Sequence, residues 1–361
     1  MVEFSFKSFL MVLVCLLGTA LASPTNIDPA SLVRAGHFKQ ARTLLEKHLA
    51  ENPKDAEALV LLARVKLAYQ DHDEAARLLR EAMAIEPGNS DAHVYLAEAY
   101  SLKIDHAGQF EKMGIARRIK SESERALAEN PNNLDALETL LEFHLHAPGI
   151  VGGNRDQASE IAERIAKLDH VRGDFAKAEI AAQEKRYGDE ENFYVNAAEA
   201  EPHSYHALMA AANFYLNNDR SKNLEKAAAY ARKALEIDSS RVRAYTILAR
   251  VYAVQQRWQE LDELVARAVK EVPEDFSPYF FAGQALLLQG KDPHRAEEYM
   301  RKYLTQEPEG NAPNLATAHW QLGLSLEQQQ KRQDAIQEIE TAVRLNPDLK
   351  DARKDLQRLK G

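Results

Sequence analysis

Histidines, glycines and carboxylates are the residues of this chain whose placement could do chemistry. His144 and His146 alternate, His203 and His206 stand three apart, and His170 lies between the two pairs. Imidazoles could ligate zinc, but zinc needs a third and usually a fourth ligand at fixed geometry. Nothing in the spacing brings His170 to either pair, so these read as scattered surface or groove histidines, and no metal site is expected. No His-Glu-x-x-His, Gly-x-Ser-x-Gly or Cys/His nucleophile arrangement occurs. Acids and bases are plentiful, yet spacing singles none of them out. No catalytic residue and no cofactor is therefore assigned, and the chain is expected not to be an enzyme.

The most distinctive loop is Pro148-Gly149-Ile150-Val151-Gly152-Gly153-Asn154. Gly152 and Gly153 can take positive φ, and Asn154 can cap the helix that follows. Such a loop could serve as a partner-binding rim or as an anion nest at a helix start. It lacks the spacing of a phosphate-binding loop, and no Lys-Ser or Lys-Thr follows it. The simpler alternative is a structural turn lengthened by insertion.

The elements that must position these residues show in a recurring spacing. Ala41, Ala75, Ala296 and Ala335 are each followed twelve residues later by a proline, at 53, 87, 308 and 347, and Leu261 precedes Pro273 in the same way. Ala82, Ala126, Ala197, Ala268 and Ala342 each stand five residues before a proline. In the stretch from Ala316 to Pro347, Leu322, Gly323 and Leu326 share one helix face. Ala335, Ile339 and Ala342 share a face of the next helix. Gly323 and Ala335 let two antiparallel helices approach closely, and Pro347, without an amide hydrogen, ends the second. A unit of this kind cannot bury its apolar face alone, so the fold is expected to be a stacked solenoid.

This pattern resembles the tetratricopeptide repeat family. Leu248, Ala249, Tyr252, Leu261, Ala268 and Pro273 carry the resemblance, as do Leu96, Ala97, Tyr100, Ala126 and Pro131. It extends over nearly all of the chain after about residue 28. The resemblance implies an all-α, right-handed α-solenoid of about nine helix-turn-helix repeats over residues 23–347. The first repeat is truncated, and a capping helix occupies 348–361, where Leu349, Ala352, Leu356 and Leu359 form one stripe. Prolines 87 and 131 are 44 residues apart rather than 34, which places an insertion near 103–112, and a second falls at 148–154. The usual proline is missing near His170 and Ser239.

The same resemblance implies that a partner is held in the concave groove lined by the first helices. The implied groove residues are Arg64, His206, Asn213, Arg243, Arg250, Phe280, Gln284, Trp320 and Glu327, with Gly149, Gly152, Gly153 and Asn154 as a rim loop. Arginines beside Phe280 and Trp320 suit an extended peptide or partner helix with apolar and acidic groups. Phe280 and Trp320 packing between repeats is the alternative. One subgroup clamps C-terminal carboxylates with a lysine and asparagines. Asn213 stands at a matching position, but Met209 stands where the lysine would be, so that activity is not carried over.

The start of the chain reads as a secretory leader. Lys7 precedes an apolar run from Phe9 to Leu17, and Ala20-Leu21-Ala22 is a small-x-small signal, giving a signal peptide over 1–22 cut after Ala22. An uncleaved anchor is the alternative. The one cysteine, Cys15, lies in that run, so no disulfide or thiolate site would remain after cleavage. Net charge is −9 with or without those residues. That balance argues against nonspecific binding to nucleic acid or anionic membrane. The expected function is a protein–protein interaction scaffold of the bacterial cell envelope, secreted or periplasmic, with a protein or peptide partner. A periplasmic small-ligand or peptide carrier is the alternative.

Overall fold

The computed structural model describes residues 28–104 and 107–361. The expected leader and its cleavage point lie outside the described residues. Within them the chain is all-helical. Its helices are α1 (Pro29–Ala35), α2 (Phe38–Glu51), α3 (Ala56–Ala68), α4 (His72–Ile85), α5 (Ser90–Ser101), α6 (Gln109–Glu129) and α7 (Leu134–His146). There follow α8 (Arg155–Leu168), α9 (His170–Gln183), α10 (Tyr187–Ala200), α11 (Tyr205–Asn217), α12 (Leu224–Ile237) and α13 (Val242–Gln255). The last are α14 (Trp258–Glu271), α15 (Ser277–Leu288), α16 (Pro293–Tyr303), α17 (Leu315–Gln328), α18 (Arg332–Leu345) and α19 (Lys350–Lys360). Consecutive pairs from α1/α2 to α17/α18 make nine repeats, and α19 covers the last. The odd-numbered first helices also touch their counterparts in the next repeat.

The recurring residues explain the geometry. Ala41, Ala75, Ala82, Ala126, Ala197, Ala296, Ala335 and Ala342 are fully buried where helices cross. A Cβ on Gly323 would stand 2.4 Å from Ile339 Cγ1 and 3.1 Å from the Ala335 carbonyl oxygen, so α17 and α18 pack at glycine-only separation. Pro53, Pro87, Pro131, Pro202, Pro273 and Pro347 each follow the C-cap of a second helix, where a missing N–H costs no helical bond. At the two sites without proline an aspartate takes over. Asp169 closes α8 and opens α9, accepting from Arg172 N at 3.0 Å. Asp238 closes α12 and accepts from Ser240 N at 3.0 Å and Ser240 Oγ at 2.6 Å. Most first helices open on an Asn, Asp or Ser whose side chain caps the N3 amide, as Asn133 does for Ala136 at 3.0 Å.

Two places depart from the regular repeat. The third repeat holds the 21-residue α6, against 14 residues for most second helices, after a connection that begins at Leu102. Between α7 and α8 the chain makes a 3-10 turn, Gly149–Val151. At the far end α19 buries Ala352 and Leu359. Arg332 Nε donates to the Leu359 carbonyl at 2.8 Å, which ties α18 to the end of α19.

The superhelix meets itself after about one turn. The start of α2 touches the 304–314 connection and the turn before α15, roughly 235–270 positions away in sequence. Lys39 N donates to Glu309 Oε1 at 2.7 Å, and Lys39 Nζ donates to the Glu274 carbonyl at 2.8 Å. Gln40 Nε2 donates to Glu274 Oε1 at 2.9 Å, and Arg42 lies 3.7 Å from Glu307. Gly310, at φ +20°, lies so close to the Phe38 ring that a Cβ would stand 2.2 Å from it. Burial pushes the Glu309 carboxyl up to about 7, with Lys39 pulling it back and Asp275 and Glu274 adding to the rise. Asp275, in the same seam, is raised for the same main reason and pulled back by its Ser277 hydrogen bonds, Lys39 and His37.

Candidate functional site

The groove face of the first helices carries two electrostatic sections. One is polar and basic, around α11 and α13. Arg243 is exposed, and Arg250 is half-buried with its Nη1 donating to Asn217 Oδ1 at 3.2 Å. Burial lowers the Arg250 guanidinium from its ordinary value, and among the described residues no carboxylate lies within 4 Å to offset that cost. His206 stacks edge-on against Phe175 at 5.1 Å, and burial, with Arg172 nearby, lowers its pKa. Asn213 is half-buried on the same helix. Arg64, two repeats before α7, lies over the Tyr95 ring at 4.8 Å.

The other section is acidic, spans α5, α7 and α9, and escaped the sequence reading. Glu98, Asp135, Glu138 and Glu142 line one cavity of about 780 Å³. Arg172 of α9 clamps Glu138 in bidentate fashion at 2.6 Å and also holds Asp135. Glu98 and Glu142 pair with no cation within 4 Å among the described residues. Both side chains reach solvent, yet the groove walls strip enough water from them to raise both carboxyls; Arg64 pulls Glu98 down, and His146 pulls Glu142 down. Glu179 joins them from α9, raised by burial and by the Glu142 charge, with His146 Nε2 at 3.8 Å. Asp91 and Glu98 on α5, and Asp135 and Glu142 on α7, stand at the same second and ninth helical positions as Glu57 and Arg64 on α3, with Glu138 at the fifth position of α7.

Several expected groove residues have other work. Phe280 is 1% exposed and packs on Phe281 and Tyr303, so it is a core residue and offers no partner a surface. Its place in the helical stripe hid this, because core and groove aromatics repeat at the same spacing. Trp320 Nε1 donates to Asp355 Oδ2 at 2.9 Å, and Glu327 accepts from Arg358 at 2.8 Å. Both are therefore engaged by α19. Gln284 remains half-buried on α15.

The glycine loop is held by backbone. Gly152 takes φ +103°, as its position requires. Gly153 does not; it serves close approach instead, since a Cβ there would fall 1.8 Å from the Ala147 carbonyl oxygen. Asn154 caps α8, accepting from Asp156 N at 2.9 Å and Gln157 N at 3.2 Å, so its side chain is spent on the helix. Gly149 opens the 3-10 turn and Val151 is buried beneath it. Gly153→Ala should therefore destabilise the protein by about 1–3 kcal/mol, through forced backbone displacement. Denaturant unfolding beside a Gly149→Ala control, whose Cβ meets nothing within 4 Å, checks this.

The histidines do not converge. His144 is buried, its pKa lowered by burial, while His146 faces Glu179 and His170 lies 3.7 Å from Glu201. No group of three or more His, Cys, Asp or Glu among the described residues could hold a metal ion. No described helix is long and apolar enough to cross a membrane.

Comparison with known proteins agrees with the fold. Tetratricopeptide repeat models match residues 32–75, 66–103 and 316–349. The structure of yeast Tom70 superposes with a TM-score of 0.51 at 16% identity, covering 92% of this chain and 80% of that one. A tetratricopeptide repeat protein of Thermus thermophilus, TTC0263, is similar at 23% identity and a TM-score of 0.45, over 57% of this chain and 95% of its own. A curated relative, the probable biofilm formation methyltransferase WspC of Pseudomonas aeruginosa, is 30% identical over 112 residues, 30% of this chain. The chain spans 25% of the length of that relative.

Proposed function

The chain carries tetratricopeptide repeats stacked into a solenoid, and we propose that it is a protein–protein interaction scaffold. It holds an extended segment or helix of a partner protein along the concave face. The observation that carries this reading is Arg250, a half-buried guanidinium in the groove with no carboxylate within 4 Å among the described residues. A buried cation without a counterion is costly, and an acidic partner group offsets that cost. With Arg243 on the same helix, α13 presents a basic end to the groove, opposite in sign to the α5–α9 section. The partner then lies with acidic groups toward α13.

The leader-like start of the sequence supports export to the cell envelope, as a secreted or periplasmic protein. Arg250→Glu should weaken partner capture from an envelope extract about tenfold or more, with thermal unfolding unchanged. Full capture by this variant, with the protein folded, would place the partner elsewhere. Fractionation of cells expressing the full chain tests the location, with the mature protein expected outside the cytoplasm.

A further inference from the structure

The two segments that break the repeat period come together on one cavity. Lys112, Met113, Ala116 and Ile119 of the extended α6 line one side, and Pro148 and Val151 of the glycine loop line another. Val94 and Tyr95 of α5 and Phe143 of α7 complete an apolar interior of about 780 Å³. That volume suits one or two large side chains or a small ligand. The same two segments expose large apolar side chains: Phe110 is 86% exposed and Ile150 is 81% exposed. Exposed aromatic and aliphatic groups beside an apolar cavity mark a contact surface.

Charge selects the occupant. Glu98 and Glu142 face this cavity from successive first helices, and among the described residues neither has a cation within 4 Å; Arg64 and His146 act on them from further off, and Lys112 stands elsewhere on the same wall. Asp135 and Glu138, by contrast, are satisfied by Arg172. The two remaining carboxylates suit a lysine or arginine, while the cavity suits the apolar side chain beside it.

Resting on the groove reading above, we propose that this cavity is the specificity pocket of the scaffold. It takes a basic–apolar segment of the partner protein, inserting an aromatic or aliphatic side chain under the glycine loop and placing a Lys or Arg between Glu98 and Glu142. The regular repeats then supply the track, and the two insertions choose the partner. Partial desolvation by the groove walls raises both carboxyls from their ordinary values. Arrival of a cation lowers them again, so binding is coupled to proton release.

Fluorescence anisotropy on the full mature chain tests this with three probes. They are a labelled peptide of sequence Arg-Leu-Phe-Arg-Leu, its Glu-for-Arg counterpart, and hexylamine as competitor. The basic peptide should bind at least about tenfold more tightly than the acidic one, with affinity falling as salt rises. Glu98→Gln with Glu142→Gln should remove that preference, and Ala116→Trp should block the cavity, each with unfolding unchanged. Lys233→Glu, on the exposed surface of α12, should leave this binding within about twofold. Basic-peptide binding that survives both pocket variants but responds to Arg250→Glu would overturn the pocket while leaving the groove intact. Equal binding of the two peptides overturns the charge assignment. Displacement by hexylamine at the peptide's own affinity overturns the protein-segment assignment in favour of a small amine. If neither peptide binds at about 1 mM, the pocket fails, while the groove reading stands or falls on the Arg250→Glu capture experiment.

Discussion

Phe280→Ala is expected to destabilise the protein by about 3–5 kcal/mol without changing the composition of the groove. The ring is 1% exposed on α15 and packs edge-on against Phe281 and at 5.3 Å against Tyr303. Truncation leaves a cavity between α15 and α16, where Gly283 and Ala296 already hold the backbones close and little collapse is available. Neighbouring repeats stabilise one another through their interfaces, so the loss spreads into the adjoining repeats. Chemical denaturation followed by far-ultraviolet circular dichroism measures it. A cost below about 1 kcal/mol would mean that the side chain is not seated in the core.

Lys39→Glu is expected to open the seam between α2 and the 304–314 connection. The substitution removes the donor that Nζ gives to the Glu274 carbonyl and sets a carboxylate beside Glu309, Glu307 and Glu274. Like charges in a partly dry seam repel, and the freed Glu309 loses its cation. Small-angle scattering should show a larger radius of gyration, while helix content stays unchanged.

The pH dependence of the seam follows from Glu309. Its pKa is about 7 with the seam closed, against an ordinary value of 4.5. The closed form therefore binds a proton that the open form releases between about 4.5 and 7. Closure is favoured at the acidic end of that window and weakens as pH rises through 7, and Asp275, also raised, acts in the same direction. Carboxyls held below their ordinary range, such as Glu297 at about 2, stabilise the fold above the usual carboxylate range and lose that contribution only at lower pH. Glu309→Gln keeps an acceptor for Lys39 N, so this variant should expand less than the parent chain across that window, with the remaining response coming from Asp275.

The repeat was legible in the sequence because its markers are steric. Ala335, Gly323 and Pro347 are the residues that a helix crossing and a helix end require, and each stands where the spacing placed it. Asp169 and Asp238 could have been read as substitutes for the missing prolines, since an aspartate can close one helix and cap the next turn. The groove was legible only in part. The rule of position that finds Arg250 also finds Phe280, because both the groove and the core faces recur every three to four residues. Only packing shows that Phe280 points inward and Arg250 stays in the groove. Trp320 and Glu327 were taken up by α19, a pairing across about 31–35 positions that no local pattern carries. The acidic cavity depends on the extended α6 and the glycine loop meeting over α5 and α7. The seam depends on the curvature summed over nine repeats. The cavity's carboxylates and its two insertions each have a local signature, but their meeting does not, and the seam has none.

The most direct test of the scaffold is photocrosslinking from inside the groove. A photoreactive phenylalanine derivative replaces Arg243 on α13, next to the exposed basic end, and a second copy of the experiment places it at Lys233 on the exposed surface of α12. Irradiation in cells should give one defined protein adduct from position 243 and none from position 233. Adducts from position 233 alone would put the partner on the second helices and contradict the groove as the binding face.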